Sequence, residues 1–169
     1  MFIDHTVESA PPASRRTMAA TEKRLGRLPP AVARMAESPE LLDGFLRSSG
    51  LFESSTLDPI AREVVVMTMA TRNRCHVCVS MHTKKLHALN APQDVVARLT
   101  DQSPLPDPRL EAIRTFTNEV LRTAGEVDDD TLTAFLDAGY THRNALEVVL
   151  GIGAYTMSTL ANRMTAAPA

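Results

Sequence analysis

Two Asp-Pro pairs, Asp58-Pro59 and Asp107-Pro108, each precede a long run in which apolar residues recur at helical spacing. An aspartate accepts hydrogen bonds from the free amides at a helix start, and proline suits the first helical position. The run after the first pair, IAREVVVMTMAT, contains three consecutive valines, which taken alone would fit a strand. Its apolar residues nevertheless keep helical spacing, so the run is predicted to be a buried helix.

Further helices are predicted between the prolines and glycines of the rest of the chain. They cover Ala31–Glu37, Glu40–Arg47, Cys75–Leu89, Gln93–Leu99, the segment from Pro108 to about Gly125, Thr131–Ala138 and Arg143 to about Met164. Aromatic residues make up 4% of the chain and tryptophan is absent, so Leu, Val, Ala, Ile and Met must build the core. A core built from these residue types favours packed helices. Without any βαβ alternation, the prediction is an all-α, single-domain helical bundle.

The length of 169 residues suits one domain of ordinary size. The prolines and serine near the N-terminus interrupt any periodic pattern, so residues 1–22 are predicted to be loosely ordered. Residues 23–169 are predicted to form the helical domain. The proline-rich segment DQSPLPDP in its middle is a linker within that domain.

Charge and hydropathy exclude several classes of protein. The net charge of −2 gives no basic footprint for nucleic acid, and the longest apolar stretches are too short to cross a membrane. The N-terminus has acidic residues and prolines where a signal peptide would have a basic start and an apolar run. We therefore expect a cytoplasmic chain, in which a lone pair of cysteines is rarely a structural disulfide.

The segment EVVVMTMATRNRCHVCVSMH combines residues that suit redox chemistry. Cys75 and Cys78 are three residues apart and lie on one face of the predicted helix, with their Cα atoms about 5–6 Å apart, within disulfide range. His82 follows one turn after Cys78 on the same face. Glu63 lies in the apolar helix before them, where a carboxylate is costly to bury unless it is paired or functional.

These residue types support thiol chemistry. A thiolate attacks a peroxide or a disulfide far better than a thiol does, and a second cysteine converts a sulfenic acid into a disulfide before further oxidation. His82 or Glu63 could deliver a proton to the leaving oxygen. The helix start favours Cys75 as the attacking residue, whereas the nearby base favours Cys78, and the sequence leaves both open.

The cysteine pair allows two other interpretations. A C-x-x-C pair can be half of a zinc site, with His82, His76 and Glu63 as further candidate ligands, but no second C-x-x-C follows. Two cysteines can also simply belong to the core. We predict a redox pair that binds neither a metal nor a cofactor.

Glu63 could also be an ordinary salt-bridged helix residue, with Arg62 or Arg72 as its partner. The pair Lys84-Lys85, further along the cysteine helix, is predicted to lie on a solvated face.

The order E-(x11)-C-x-x-C-x-x-x-H resembles the alkylhydroperoxidase D-like branch of the carboxymuconolactone decarboxylase superfamily, over roughly residues 25–164. The resemblance implies an all-α fold that forms homo-oligomers, commonly trimers or multiples of them. It implies a peroxide substrate that is attacked by Cys78, a sulfenic acid that is resolved by Cys75, and a proton relay of Glu63 and His82. It also implies a reductant protein that is lipoylated or thioredoxin-like.

The chain departs from that pattern at one position. The characterised peroxidase has a second relay histidine just before its second cysteine, and here Val77 takes that place while His76 lies one residue earlier. One residue rotates a helical side chain by about 100°, so His76 does not substitute directly. A general dithiol–disulfide oxidoreductase with weak peroxidase activity therefore stays an alternative, as does a non-enzymatic redox-sensing helical oligomer.

Overall fold

The computed structural model describes residues 1–169 and contains nine α-helices and no strand, so the predicted all-α class is confirmed. The helices are α1 (Pro12–Leu25), α2 (Pro30–Met35), α3 (Pro39–Glu53), α4 (Pro59–Arg72), α5 (His76–Ala88), α6 (Gln93–Thr100), α7 (Pro108–Thr123), α8 (Asp129–Asp137) and α9 (His142–Met164). None of them combines the length and the apolar character that a membrane crossing requires.

The two helix starts predicted at the Asp-Pro pairs are confirmed by their hydrogen bonds. Asp58 caps α4, where its Oδ1 accepts from the Ala61 amide at 2.9 Å. Asp107 caps α7 in the same way. At α9, Thr141 forms a capping box with Asn144, in which each side chain bonds to the other residue's backbone.

Helix α4 is the centre of the bundle and packs against α5, α6, α7 and α9. Apart from Arg62, every residue from Ala61 to Thr71 is buried, including the three valines. The valines bury their side chains on helix α4 rather than on a strand, because neighbouring helices cover α4 on nearly all sides. Any polar residue of α4 must therefore find its partner inside the protein.

A tight turn joins α4 to α5 and fixes the first cysteine. Arg74 adopts a left-handed conformation with φ +52°, and the Cys75 amide donates to the Ala70 carbonyl at 2.9 Å. Cys75 then serves as the N-cap of α5, with an extended backbone, whereas Cys78 lies in the first turn of the helix. The turn keeps the cysteines close to the C-terminal half of α4.

The prediction of loose order for residues 1–22 is wrong from Pro12 onwards. Pro12 lies at the first turn of α1, where proline favours a helix rather than interrupting one. The side chains of Ser14 and Met18 are fully buried, and Ser14 Oγ donates to the Ala36 carbonyl at 2.6 Å. Helix α1 also runs through residue 23, the predicted start of the helical domain, and packs against α3.

Helix α3 extends beyond its predicted end at Arg47. It continues through Gly50 to Glu53 because Phe52 is fully buried in the core. This extra turn places Glu53 near the cysteine helix.

We predict that Gly151→Ala destabilises the fold and that Gly153→Ala does not. A Cβ at Gly151 would lie 2.7 Å from the ring of Phe52, which is fully buried and has little room to move. Overpacking of this kind costs about 1–3 kcal/mol. A Cβ at Gly153 meets nothing within 4 Å, so alanine there should stabilise the helix by up to about 1 kcal/mol.

Urea unfolding of both variants measures this difference. If Gly151→Ala is as stable as Gly153→Ala, α3 and α9 are not packed as closely as described.

Candidate active site

The two cysteines form a reduced, buried pair. Their Sγ atoms are 3.1 Å apart, and the side chains are almost completely covered, with 1% of Cys75 and 3% of Cys78 exposed. This separation is longer than the bond of about 2.05 Å in a disulfide, yet short enough for one thiol to donate to the other sulfur. The predicted proximity of the two residues is therefore present in the structure.

The carboxylate of Glu63 is buried against the imidazole of His82. Nδ1 of His82 lies 2.7 Å from Oε2 of Glu63, and the Glu63 side chain is 1% exposed. The structure thus brings together the two residues that the sequence analysis singled out as a relay, although they lie on different helices, α4 and α5. The suggested Glu63 partners Arg62 and Arg72 do not pair with it.

Lys85 also binds this carboxylate, which corrects the prediction of a solvated face. Its Nζ lies 2.9 Å from Oε1 of Glu63 and forms a second ion pair with Glu53. Burial would raise the pKa of the Glu63 carboxyl, but the hydrogen bond from His82 and the ammonium of Lys85 outweigh burial and lower that pKa. Burial likewise disfavours the charged form of Lys85, but its two carboxylate partners raise the Lys85 pKa above its usual value.

Helix α9 contributes three polar residues that the sequence analysis missed. Asn162 Nδ2 lies 3.5 Å from Cys78 Sγ and 3.9 Å from Cys75 Sγ, as a donor to both sulfurs. Ser158 Oγ lies 3.7 Å from Cys78 Sγ, and the ring of Tyr155 contacts His82 edge-on with centroids 5.2 Å apart. These polar residues recur on one side of an otherwise apolar helix, and this pattern is the sequence signal that could have identified them.

The contact between the two thiols shifts their pKa values in opposite directions. The hydrogen bond with Cys78 lowers the pKa of Cys75 to about 6, with help from Asn162 and backbone amides at the start of α5. The same contact with Cys75, together with burial, raises the pKa of Cys78. The contact between the two sulfurs, 3.1 Å apart, therefore favours the loss of one proton from the pair and the retention of the second.

The two cysteines face different cavities. Cys78 lines the larger one, of about 770 Å³, together with His82 and Lys85. Cys75 lines a smaller one of about 330 Å³, whose wall includes Arg74 and other basic residues. A substrate in the larger cavity thus meets Cys78 and the imidazole on the same wall.

The position before the second cysteine carries no proton-transfer group. The side chain of Val77 is buried, whereas His76 is exposed on another face of α5, as its spacing predicts. No group of three or more His, Cys, Asp or Glu side chains has a geometry that could hold a metal ion. The site combines a dithiol with a carboxylate–imidazole pair.

The fold and this site define an all-helical protein with a buried pair of reduced cysteines. Residues 39–119, which include all of α4 and α5, match the family model described as the carboxymuconolactone decarboxylase family. This match, together with the similar folds below, supports the resemblance to that superfamily that the motif indicates. None of the curated proteins matches the sequence.

Several solved structures share the fold at low sequence identity. An uncharacterised peroxidase-related protein from Ralstonia eutropha JMP134, described as an alkylhydroperoxidase core, is 18% identical with a TM-score of 0.84, over 99% of this chain and 90% of that one. A peroxidase-related protein from Silicibacter sp. TM1040 is 19% identical with a TM-score of 0.79, over 98% and 90%. A debrominase variant in complex with 2,3,4-tribromopyrrole is 14% identical with a TM-score of 0.72, over 93% and 85%.

We predict that the first thiol of the reduced protein titrates with a pKa of about 6. The thiolate is the reactive form, so alkylation should be fast above that pH and should slow as the pH falls through it, whereas an ordinary cysteine slows below about 8.5. Asn162→Ala should raise this pKa by about one, because it removes a donor to the thiolate. The measurement is the rate of iodoacetamide alkylation against pH.

Thr156→Ala is the matched control, since Thr156 is on the same helix and its hydroxyl donates only to the Ile152 carbonyl one turn earlier. An unchanged pH profile in Asn162→Ala would show that the amide does not support the thiolate.

Proposed function

We propose that this chain is a thiol-dependent peroxidase that reduces organic hydroperoxides or hydrogen peroxide through a dithiol–disulfide cycle of Cys75 and Cys78. The observation that carries the proposal is the reduced sulfur pair, 3.1 Å apart, beside a cavity that also contains His82. The peroxidase-related proteins of similar fold are consistent with it.

Cys78 is the attacking residue in this proposal because it lines the larger cavity. The resting negative charge lies on Cys75, so the Cys78 proton first moves to Cys75 across their contact. The Cys78 thiolate then attacks the outer peroxide oxygen and the O–O bond breaks. Cys78 becomes a sulfenic acid, and the alkoxide leaves with a proton from His82, giving an alcohol.

Cys75 completes the oxidation. It passes the proton that it accepted to His82, which has become neutral by protonating the alkoxide, and attacks the Cys78 sulfenic sulfur. The hydroxide then leaves with that proton from His82, as water. One peroxide, the thiol–thiolate pair and one proton that His82 takes from solvent thus give one alcohol, one water and one disulfide. A dithiol protein, lipoylated or thioredoxin-like, would reduce the disulfide by thiol exchange.

Glu63 acts through His82 in this scheme. Its ionised carboxylate fixes the ring through Nδ1, which leaves Nε2 as the nitrogen that exchanges protons with the cavity. Lys85 balances the buried charge, so that Glu63 stays ionised while the proton on His82 changes.

The buried Val77 favours a second candidate, a dithiol–disulfide oxidoreductase with weak peroxidase activity. A shorter relay leaves the protonation of the alkoxide to His82 alone. Exchange with another disulfide needs no such proton, because a thiolate is itself the leaving group.

Single-turnover oxidation tests the cycle and separates these candidates. Reduced protein is mixed with cumene hydroperoxide, and intact mass and thiol count are followed in the wild type, Cys75→Ser and Cys78→Ser. We expect the wild type to lose two thiols and form an internal disulfide. Cys75→Ser should stop at a sulfenic acid, and Cys78→Ser should react slowly.

Thiols that ignore peroxide but exchange with a disulfide substrate would favour the oxidoreductase. Oxidation that no dithiol donor reverses, together with a change of assembly, would favour a redox sensor.

We predict that His82→Gln slows the oxidation by hydroperoxide about 10²-fold or more, because the leaving alkoxide loses its proton donor. The rate of disulfide exchange should change far less. Glu63→Gln should act in the same direction, because the ring loses its fixed orientation. Stopped-flow oxidation rates with both substrate types measure this split, and equal losses in both reactions would contradict a relay role.

A further inference from the structure

The cavity beside Cys78 is much larger than a small peroxide needs. Its volume of about 770 Å³ is in the range of sites for drug-sized ligands, whereas hydrogen peroxide is about the size of two water molecules. Much of its wall is apolar and comes from α1, α2 and α3, including Ala20, Val32, Met35, Phe45 and Leu46. An occupant with a hydrocarbon body would remove this surface from water.

Two arginines on α1 give the same cavity a positive charge. Arg16 and Arg24 both line it, two turns apart, on either side of Ala20. Neither forms an ion pair with a carboxylate of the chain, and both side chains are exposed enough to turn toward a ligand. The carboxylate of Glu53 in the same wall already pairs with Lys85, so it does not neutralise the arginines.

Resting on the proposed peroxidase function, we infer that the substrate is an amphipathic organic hydroperoxide, a long-chain carboxylic acid that carries the peroxide on its hydrocarbon body. The hydrocarbon lies on the apolar wall, and the carboxylate binds Arg16 and Arg24. An arginine guanidinium matches a carboxylate with two parallel hydrogen bonds. The peroxide then meets Cys78 and is reduced to the hydroxy acid, with water as the second product and the disulfide as the oxidised group.

Turnover of three substrates tests the inference. They are linoleic acid hydroperoxide, its methyl ester and cumene hydroperoxide, all below the concentrations at which lipids form micelles. The acid and its ester share the hydrocarbon and the peroxide and differ only in the negative charge. We expect kcat/KM to be about tenfold higher for the acid, as is typical of a lost charged hydrogen bond.

The double variant Arg16→Gln/Arg24→Gln should bring the acid-to-ester ratio close to one, mainly through KM. Arg27→Gln is the matched control, because this exposed arginine follows α1 but does not line the cavity, and its ratio should stay at the wild-type value. Since each ratio compares two substrates on one protein, a loss of folded enzyme does not change it.

Calorimetric binding of linoleic acid, which has no peroxide, separates this inference from the proposed function. Turnover of cumene hydroperoxide with an acid-to-ester ratio of one overturns the substrate class and leaves the peroxidase intact. Arginine-dependent binding of linoleic acid without turnover of any peroxide supports the ligand class and overturns the peroxidase. Binding that is equal in the double variant and in Arg27→Gln overturns the role of the two arginines.

Discussion

The buried carboxylate of Glu63 is the constraint on which the rest of the site depends. It lies in the most covered helix of the bundle, where an unpaired charge would cost several kcal/mol. Its two partners, His82 and Lys85, are one turn apart on α5 and face α4 together. The pairing therefore fixes how α5 lies along α4, and with it the position of the cysteines at the start of α5.

The site has two charged parts, the Glu63 carboxylate with its partners and the thiol pair, and each part has groups that stabilise its charge. Glu63 is held ionised by a lysine and an imidazole, whereas the single negative charge of the thiol pair is supported by the amide of Asn162 and the start of α5. A proton that moves within the site thus has groups that accept or release it both at the thiol pair and at the Glu63–His82 pair. The total buried charge therefore stays small. Residues from α4, α5 and α9 all take part, so the site exists only when the bundle is assembled.

Much of the site could be predicted from the sequence because it is local. Cys75, Cys78 and His82 lie within eight residues: helical spacing places Cys78 and His82 one turn apart on α5, and Cys75 directly precedes this helix. Glu63 stands out because a carboxylate inside an apolar run demands a partner. Its pairing with His82 was implied only by the family resemblance, since the crossing of α4 and α5 decides which residues meet. Its second partner, Lys85, could not be predicted, because Lys85 has the sequence context of a surface residue.

What escaped prediction depends on contacts between distant segments. In the sequence, Ser158 and Asn162 look like ordinary polar residues some eighty positions after Cys78. They reach the cysteines only because α9 packs beside them in the fold. The helix at Pro12–Leu25 was missed because its prolines look like interruptions, although they lie at its start. Its burial against α3 is a tertiary effect that no local pattern contains.

The short distance between the two sulfurs has a consequence for how the protein changes between its two redox forms. Closing a disulfide requires the sulfurs to approach by about 1 Å, from 3.1 Å to the covalent distance. Both residues are held through their backbones, Cys78 within the helix and Cys75 by its amide bond to Ala70 and its carbonyl bond from the Val79 amide. The movement therefore falls on the two side chains, and the bundle around them can remain rigid through every oxidation and reduction.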